Sequence, residues 1–102
     1  MIPVVVLTKR LILIMSARPV VKTSMMPQAM QEFAIITAQD AINSYVTEQE
    51  IASAIKAKFE QEFPSVWHCF IGRNFGCFVT HEASKFIYFY IGQMGICLFA
   101  TA

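Results

Sequence analysis

Residues 86–91 read Phe-Ile-Tyr-Phe-Tyr-Ile, a run with no charge and no turn-forming residue. In a β-strand, successive side chains point to opposite faces of the sheet. One face would carry Ile87, Phe89 and Ile91, and the other Phe86, Tyr88 and Tyr90. Both faces are apolar, so such a strand must be covered on both sides. One layer of helices covers one face only. Composition points the same way: of 102 residues, 56% are hydrophobic and 15% charged, and the mean hydropathy is +0.52. Soluble domains average about 45–50% and about 25%. This excludes intrinsic disorder, which needs low hydrophobicity and high charge. A single domain this small leaves much of its apolar surface in water when alone. A membrane, a second subunit or a ligand is expected to cover it.

Other function classes fall away on charge and spacing. A net charge of +1 provides no basic field for nucleic acid phosphates. Cys69, Cys77 and Cys97 are odd in number and lack C-x-x-C spacing, so they read as reduced thiols. With His68 and His81 they are too scattered for a zinc site, and His68 and Cys69 point to opposite strand faces. Cys77 and His81 share a face, but lie about 13 Å apart at about 3.3 Å per residue. That is too far for a nucleophile and its base. Gly72–Gly76 lacks both phosphate-loop patterns and reads as a turn. No catalytic residue, metal or cofactor is expected.

The chain divides by composition. Residues 1–17 hold Val4–Leu7 and Leu11–Met15 around Lys9 and Arg10, a segment of charge +2. Two cations at its centre argue against a membrane span, and five apolar residues after Arg10 are too few for a signal peptide. It is expected to be a flexible extension, with residues 18–102 forming the domain. There, Arg18–Thr23 is a short extended run. Pro27 opens a helix whose Met30, Phe33, Ala34, Thr37, Ala38, Ala41, Ile42 and Tyr45 fall on one face. Thr47-Glu48-Gln49-Glu50 has the form of a capping box. It starts a second helix with Ile51, Ile55, Phe59 and Phe63 in line, which Pro64 stops. Beyond Pro64 the pattern turns to strands at Val66–Ile71, Phe75–His81, Phe86–Ile91 and Met94–Phe99, with Gly92-Gln93 as a two-residue hairpin. The fold class is α+β, two helices packed on an antiparallel sheet.

Three stretches carry a family resemblance. Trp67-His68-Cys69-Phe70-Ile71-Gly72-Arg73-Asn74-Phe75-Gly76, Val79-Thr80-His81-Glu82 and Phe86–Gln93 closely resemble the small hub-type cytoplasmic dynein light chain family. The similarity extends over residues 18–102 and leaves 1–17 outside. It implies a strand-exchanged homodimer in which a strand, here Arg73–His81, crosses to the partner's sheet. Two grooves at the interface would each take a disordered Thr-Gln-Thr-like segment as an added strand. Carried over by position, Phe75, Gly76, Cys77, Phe78, Val79, Thr80 and His81 would pair with that segment. Glu48 and Gln49 would meet its glutamine. Phe86, Tyr88, Tyr90 and Cys97 would form the floor, with Arg73 and Asn74 at one end. Lys56, His68, Phe78 and Thr80 would lie in the dimer interface. The implied partners are a second copy, the dynein intermediate chain and other proteins with such motifs, with no nucleic acid and no membrane. The implied setting is cytoplasmic and microtubule-associated, with axonemal dynein as a variant.

The sequence departs from the family pattern at Gln49, Cys77 and Phe78, where the family usually has Lys, Ser and Tyr. Those departures motivate an alternative, a diverged structural dimer that has lost the motif preference. Residues 1–17 motivate another, attachment to a membrane.

Overall fold

The structure is a computed structural model and describes residues 18–73 and 85–101. The expected crossing strand, Phe75–His81, lies outside the described residues, as does the extension 1–17. The elements are β1 (Pro19–Ser24), α1 (Gln28–Ser44), α2 (Glu48–Glu62), β2 (Val66–Gly72), β3 (Phe86–Ile91) and β4 (Met94–Thr101). The four strands form one sheet in the order β1-β3-β4-β2, and every pairing is antiparallel. The expected α+β class is what the structure has.

Each helix starts and stops for a local reason. Pro27 is the N-cap of α1, one position before the first turn, and its carbonyl accepts from the Gln31 amide at 3.0 Å. At the other end Tyr45 turns extended while its amide still donates to Ala41. The capping box of α2 forms as expected: the Glu50 amide donates to Thr47 Oγ1 at 3.2 Å, and the Thr47 amide donates to Glu50 Oε1 at 3.4 Å. Two of the amides left without intrahelical partners at this helix end are thereby satisfied.

The core lies between the helices and one face of the sheet. Ala34, Ala38 and Ala41 of α1 meet Ile51, Ile55 and Phe59 of α2, and both rows pack over Trp67, Ile87, Phe89, Ile91, Ile96 and Leu98. Three alanines in line let α1 approach closely. Tyr45, expected on this face, is instead exposed beyond the helix end. At one end Phe33, Phe59, Phe63 and Trp67 form an aromatic cluster with ring centroids 4.8–6.5 Å apart. The indole Nε1–H of Trp67 donates to the Phe63 carbonyl at 2.8 Å. That bond ties β2 to the end of α2 and leaves no buried indole donor unpaired.

Gly92 has φ of +62°, the conformation a two-residue hairpin needs at its first position. The hairpin pairs Ile91 with Met94, so β3 and β4 are in register from Phe86↔Phe99 onward. Strand β4 runs two residues past the expected Phe99, because Ala100 and Thr101 pair with Trp67 and Val66.

Truncation of Phe59 removes a fully buried ring at the centre of the aromatic cluster. Phe59→Ala should lower unfolding stability by about 3–5 kcal/mol. Thr47→Ala loses only the cap and should cost about 0.5–2 kcal/mol. Urea unfolding of the two variants checks both the values and their order.

Candidate functional site

The second face of the sheet carries the alternate residues. His68 and Phe70 of β2, Phe86, Tyr88 and Tyr90 of β3, and Cys97 and Phe99 of β4 share it through the cross-strand pairs His68↔Phe99, Phe70↔Cys97, Phe86↔Phe99 and Tyr88↔Cys97. Phe86, Cys97 and Phe99 form a separate buried cluster with Tyr88 against it. His68 stacks on Phe99 with centroids 5.1 Å apart, and its Nε2 lies 3.1 Å from Thr101 Oγ1. Phe70 also stacks on Phe99, with centroids 6.0 Å apart, and is 54% exposed.

Of the expected floor residues, Phe86 and Cys97 are closed over, and Tyr88 and Tyr90 are half-buried. The two tyrosines line a hollow of about 450 Å³ together with Val20, Lys22, Thr23 and Gly92. The β1 contribution arises from a bulge. Val21 pairs with Phe89 but Thr23 pairs with Tyr88, so Lys22 is an extra residue in the ladder. Lys22 and Thr23, adjacent in sequence, therefore both reach the tyrosine side. The Lys22 ammonium lies 5.9 Å from the centroid of the Tyr90 ring. Beyond the bulge, Ser24 pairs with Ile87, and its buried hydroxyl has no hydrogen-bond partner. Sequence reading missed Lys22 and Thr23. A bulge depends on the partner strand, and a lone lysine in a short strand carries no motif.

Among the described residues, Glu48, Gln49, Lys56 and Arg73 lie outside the lining of this hollow. Glu48 and Gln49 are exposed at the start of α2, and Gln49 lines a different hollow of about 450 Å³ with Tyr45, Thr47, Glu50, Ser53 and Ala54. Arg73 is exposed just beyond β2. Lys56 forms an ion pair with Glu60 at 2.9 Å on the outside of α2. Asn74, Phe75, Gly76, Cys77, Phe78, Val79, Thr80 and His81 lie outside the described residues.

Beside the Lys22 ammonium, the side-chain polar groups of the hollow are hydroxyls. Tyr88 donates its hydroxyl to Tyr90 at 3.0 Å. This bond, then burial, then repulsion from Tyr90 push the Tyr88 hydroxyl up to about 12. Cys69, on the helix side, is held as a neutral thiol because burial pushes it up to about 12. It is the free cysteine among the described residues, whereas Cys97 is disulfide-bonded. For Cys97 this corrects the expectation of a reduced thiol, whereas Cys69 is free as expected; an odd cysteine count argues against a full framework but leaves room for one bond. Among the described residues no group of three or more His, Cys, Asp or Glu side chains could hold a metal ion. Among them, too, no helix is long and apolar enough to cross a membrane.

Comparison with known proteins identifies the class. The family model described as "Dynein light chain type 1" matches residues 18–101. The chain belongs to the dynein light chain family. Among solved structures, it is similar to the dynein light chain-like domain of the Fasciola hepatica calcium binding protein FhCaBP2. The TM-score is 0.71 at 17% identity, covering 85% of this chain and 94% of that one. It is also similar to the DLC like domain of CsTAL3, with a TM-score of 0.68 at 11% identity, covering 81% and 92%. At these identities the likeness is one of fold.

The tyrosine pair can be tested by titration. Folding favours the protonated Tyr88, so its contribution to stability is complete below the ordinary tyrosine value of about 10. It is lost as pH climbs through that value toward about 12. Ultraviolet titration should show a late transition that belongs to Tyr88. Tyr90→Phe should bring it back toward about 10, and a late transition surviving that change would refute the assignment.

Proposed function

We propose that this chain is a non-catalytic, homodimeric hub that binds short disordered segments of partner proteins by β-strand addition. It would serve as a light chain of the dynein motor complex and as a clamp that holds its partners in pairs. The single observation that carries this reading is the second sheet face, apolar beneath and edged by the accessible Tyr88 and Tyr90. An apolar body with a hydroxyl tip suits a groove that must accept varied side chains while hydrogen-bonding a backbone.

Two features favour a second subunit. Among the described residues β2 is paired on one side only, by β4, and it exposes Val66 and Phe70. Among the described residues the start of α2 and the tyrosine hollow share no lining residue, and a second subunit between them would join both into one groove. In that arrangement the first-turn amides of Glu48 and Gln49 would donate to the motif's glutamine side chain. The segment Phe75–His81 would supply the backbone edge. Gln49 in place of the family's lysine removes one cation, while Lys22 keeps one beside the tyrosines. A preference for acidic flanking residues therefore remains reasonable. The setting that fits this role is cytoplasmic and cytoskeletal, on microtubule-associated or axonemal dynein.

One groove should bind modestly. Each backbone hydrogen bond contributes about 0.5–1.5 kcal/mol, and ordering a disordered segment costs about 2–5 kcal/mol or more. A Kd near 1 μM corresponds to about −8 kcal/mol. Linked partners engaging both grooves would gain about 10²–10⁴-fold.

Calorimetric titration of the full chain with a Thr-Gln-Thr peptide tests this. The expected result is near-micromolar binding with one peptide per chain, weakened about tenfold or more by Tyr88→Ala, a loss of about 1.4 kcal/mol or more. An intact dimer that binds no such peptide would refute the reading. It would leave the structural dimer that the departures at Gln49, Cys77 and Phe78 suggest.

A further inference from the structure

The helical layer has an open side as well as a buried one. Between α1 and α2 runs a groove of about 310 Å³ lined by Phe33, Ile36, Tyr45 and Ala54 together with the polar Thr37 and Ser44 and the charged Asp40 and Lys58. Ile36 is 65% exposed, and Val46, just beyond α1, is 82% exposed. Tyr45 and Ala54 also line the hollow at the start of α2, so the two depressions are continuous. An aliphatic side chain in the middle of a helix's outer face gains nothing from water, and Ile36 lines this groove.

Charge selects the occupant. Glu32, Asp40, Glu48, Glu50, Glu60 and Glu62 all lie on the two helices, against Lys56 and Lys58, so the helical layer carries −4. The described residues on and beside the strands hold Arg18, Lys22, Arg73 and Lys85 and no acid, so that layer carries +4. Residues 1–17 are apolar and carry +2. They are repelled by the strand side and attracted by the helix side, which among the described residues also exposes a groove with Ile36 and Tyr45 beside one carboxylate, Asp40, and one ammonium, Lys58. Reach is no obstacle: at about 3.3–3.6 Å per residue, 17 residues span up to about 55–60 Å. The molecule's long axis is 44 Å.

We propose that the outer groove between α1 and α2 is the docking site of the chain's own N-terminal segment. Val4–Leu7 and Leu11–Met15 supply the side chains that cover Ile36 and Tyr45. Lys9 and Arg10 lie against the acidic helical layer, with Asp40 in the groove itself. The contact does not involve the tyrosine hollow, so it stands or falls independently of peptide binding there.

Limited trypsin digestion of the full chain, read by mass spectrometry, tests it. Lys9 and Arg10 are themselves the cleavage sites, and cleavage needs the segment to open. Cleavage there should be about tenfold slower or more than in a synthetic peptide of residues 1–17, and the ratio should not change with protein concentration. Ile36→Glu and, separately, Asp40→Lys should each accelerate it about threefold or more while leaving the helical circular dichroism unchanged. Both positions are exposed, so neither variant threatens the core. Cleavage as fast as in the free peptide would overturn the proposal. So would protection that neither substitution relieves, which would place the segment elsewhere. Protection that grows with concentration would assign the groove to a second copy. Protection that appears only with phosphatidylserine vesicles would assign the segment to a membrane.

Discussion

Burial of β3 on both faces is the constraint on which the remaining architecture depends. Ile87, Phe89 and Ile91 require the helices, and those helices are short and regular because their task is to cover one side of a small sheet. Phe86, Tyr88 and Tyr90 require a second cover, which two helices on the opposite side cannot give. The hairpin at Gly92 places β4 beside β3 with the same two-faced character, and the apolar character of both strands explains why so small a chain carries so little charge. Helix caps and the Trp67 hydrogen bond refine this arrangement; they do not create it.

The layers differ in electrostatics as sharply as in secondary structure. Acidic residues gather on the helices, and the described cations outside them gather around the strands. An incoming segment therefore meets a surface whose sign depends on the side of approach.

Much of this was legible in the sequence because it follows from local rules. The capping box at Thr47 needs only four consecutive residues, and β3 is recognisable from six. The division of β3 into Ile87, Phe89 and Ile91 against Phe86, Tyr88 and Tyr90 follows from alternation, and the two hydrophobic clusters divide in that way. Other features were not legible because they depend on a partner strand. Strand β4 continues to Thr101 because β2 lies beside it. Lys22 and Thr23 enter the tyrosine hollow because β3 imposes a register that the short run Arg18–Thr23 does not reveal. Tyr45 satisfied the helical spacing but fell after the turn at which the helix ends, where spacing has no force. The family resemblance, carried by the residues from Trp67 to Gln93, supplied the site assignments that local rules could not.

The bulge at Lys22 has a consequence for how β1 divides its labour. Regular alternation would give each side of the sheet every second residue. One slipped step hands two neighbouring side chains to the tyrosine side, and Ser24 returns to the helix side at the far end. The strand thereby offers a cation and a hydroxyl together where a regular strand would offer one of them. The Ser24 hydroxyl, buried without a hydrogen-bond partner among the described residues, marks where that exchange ends.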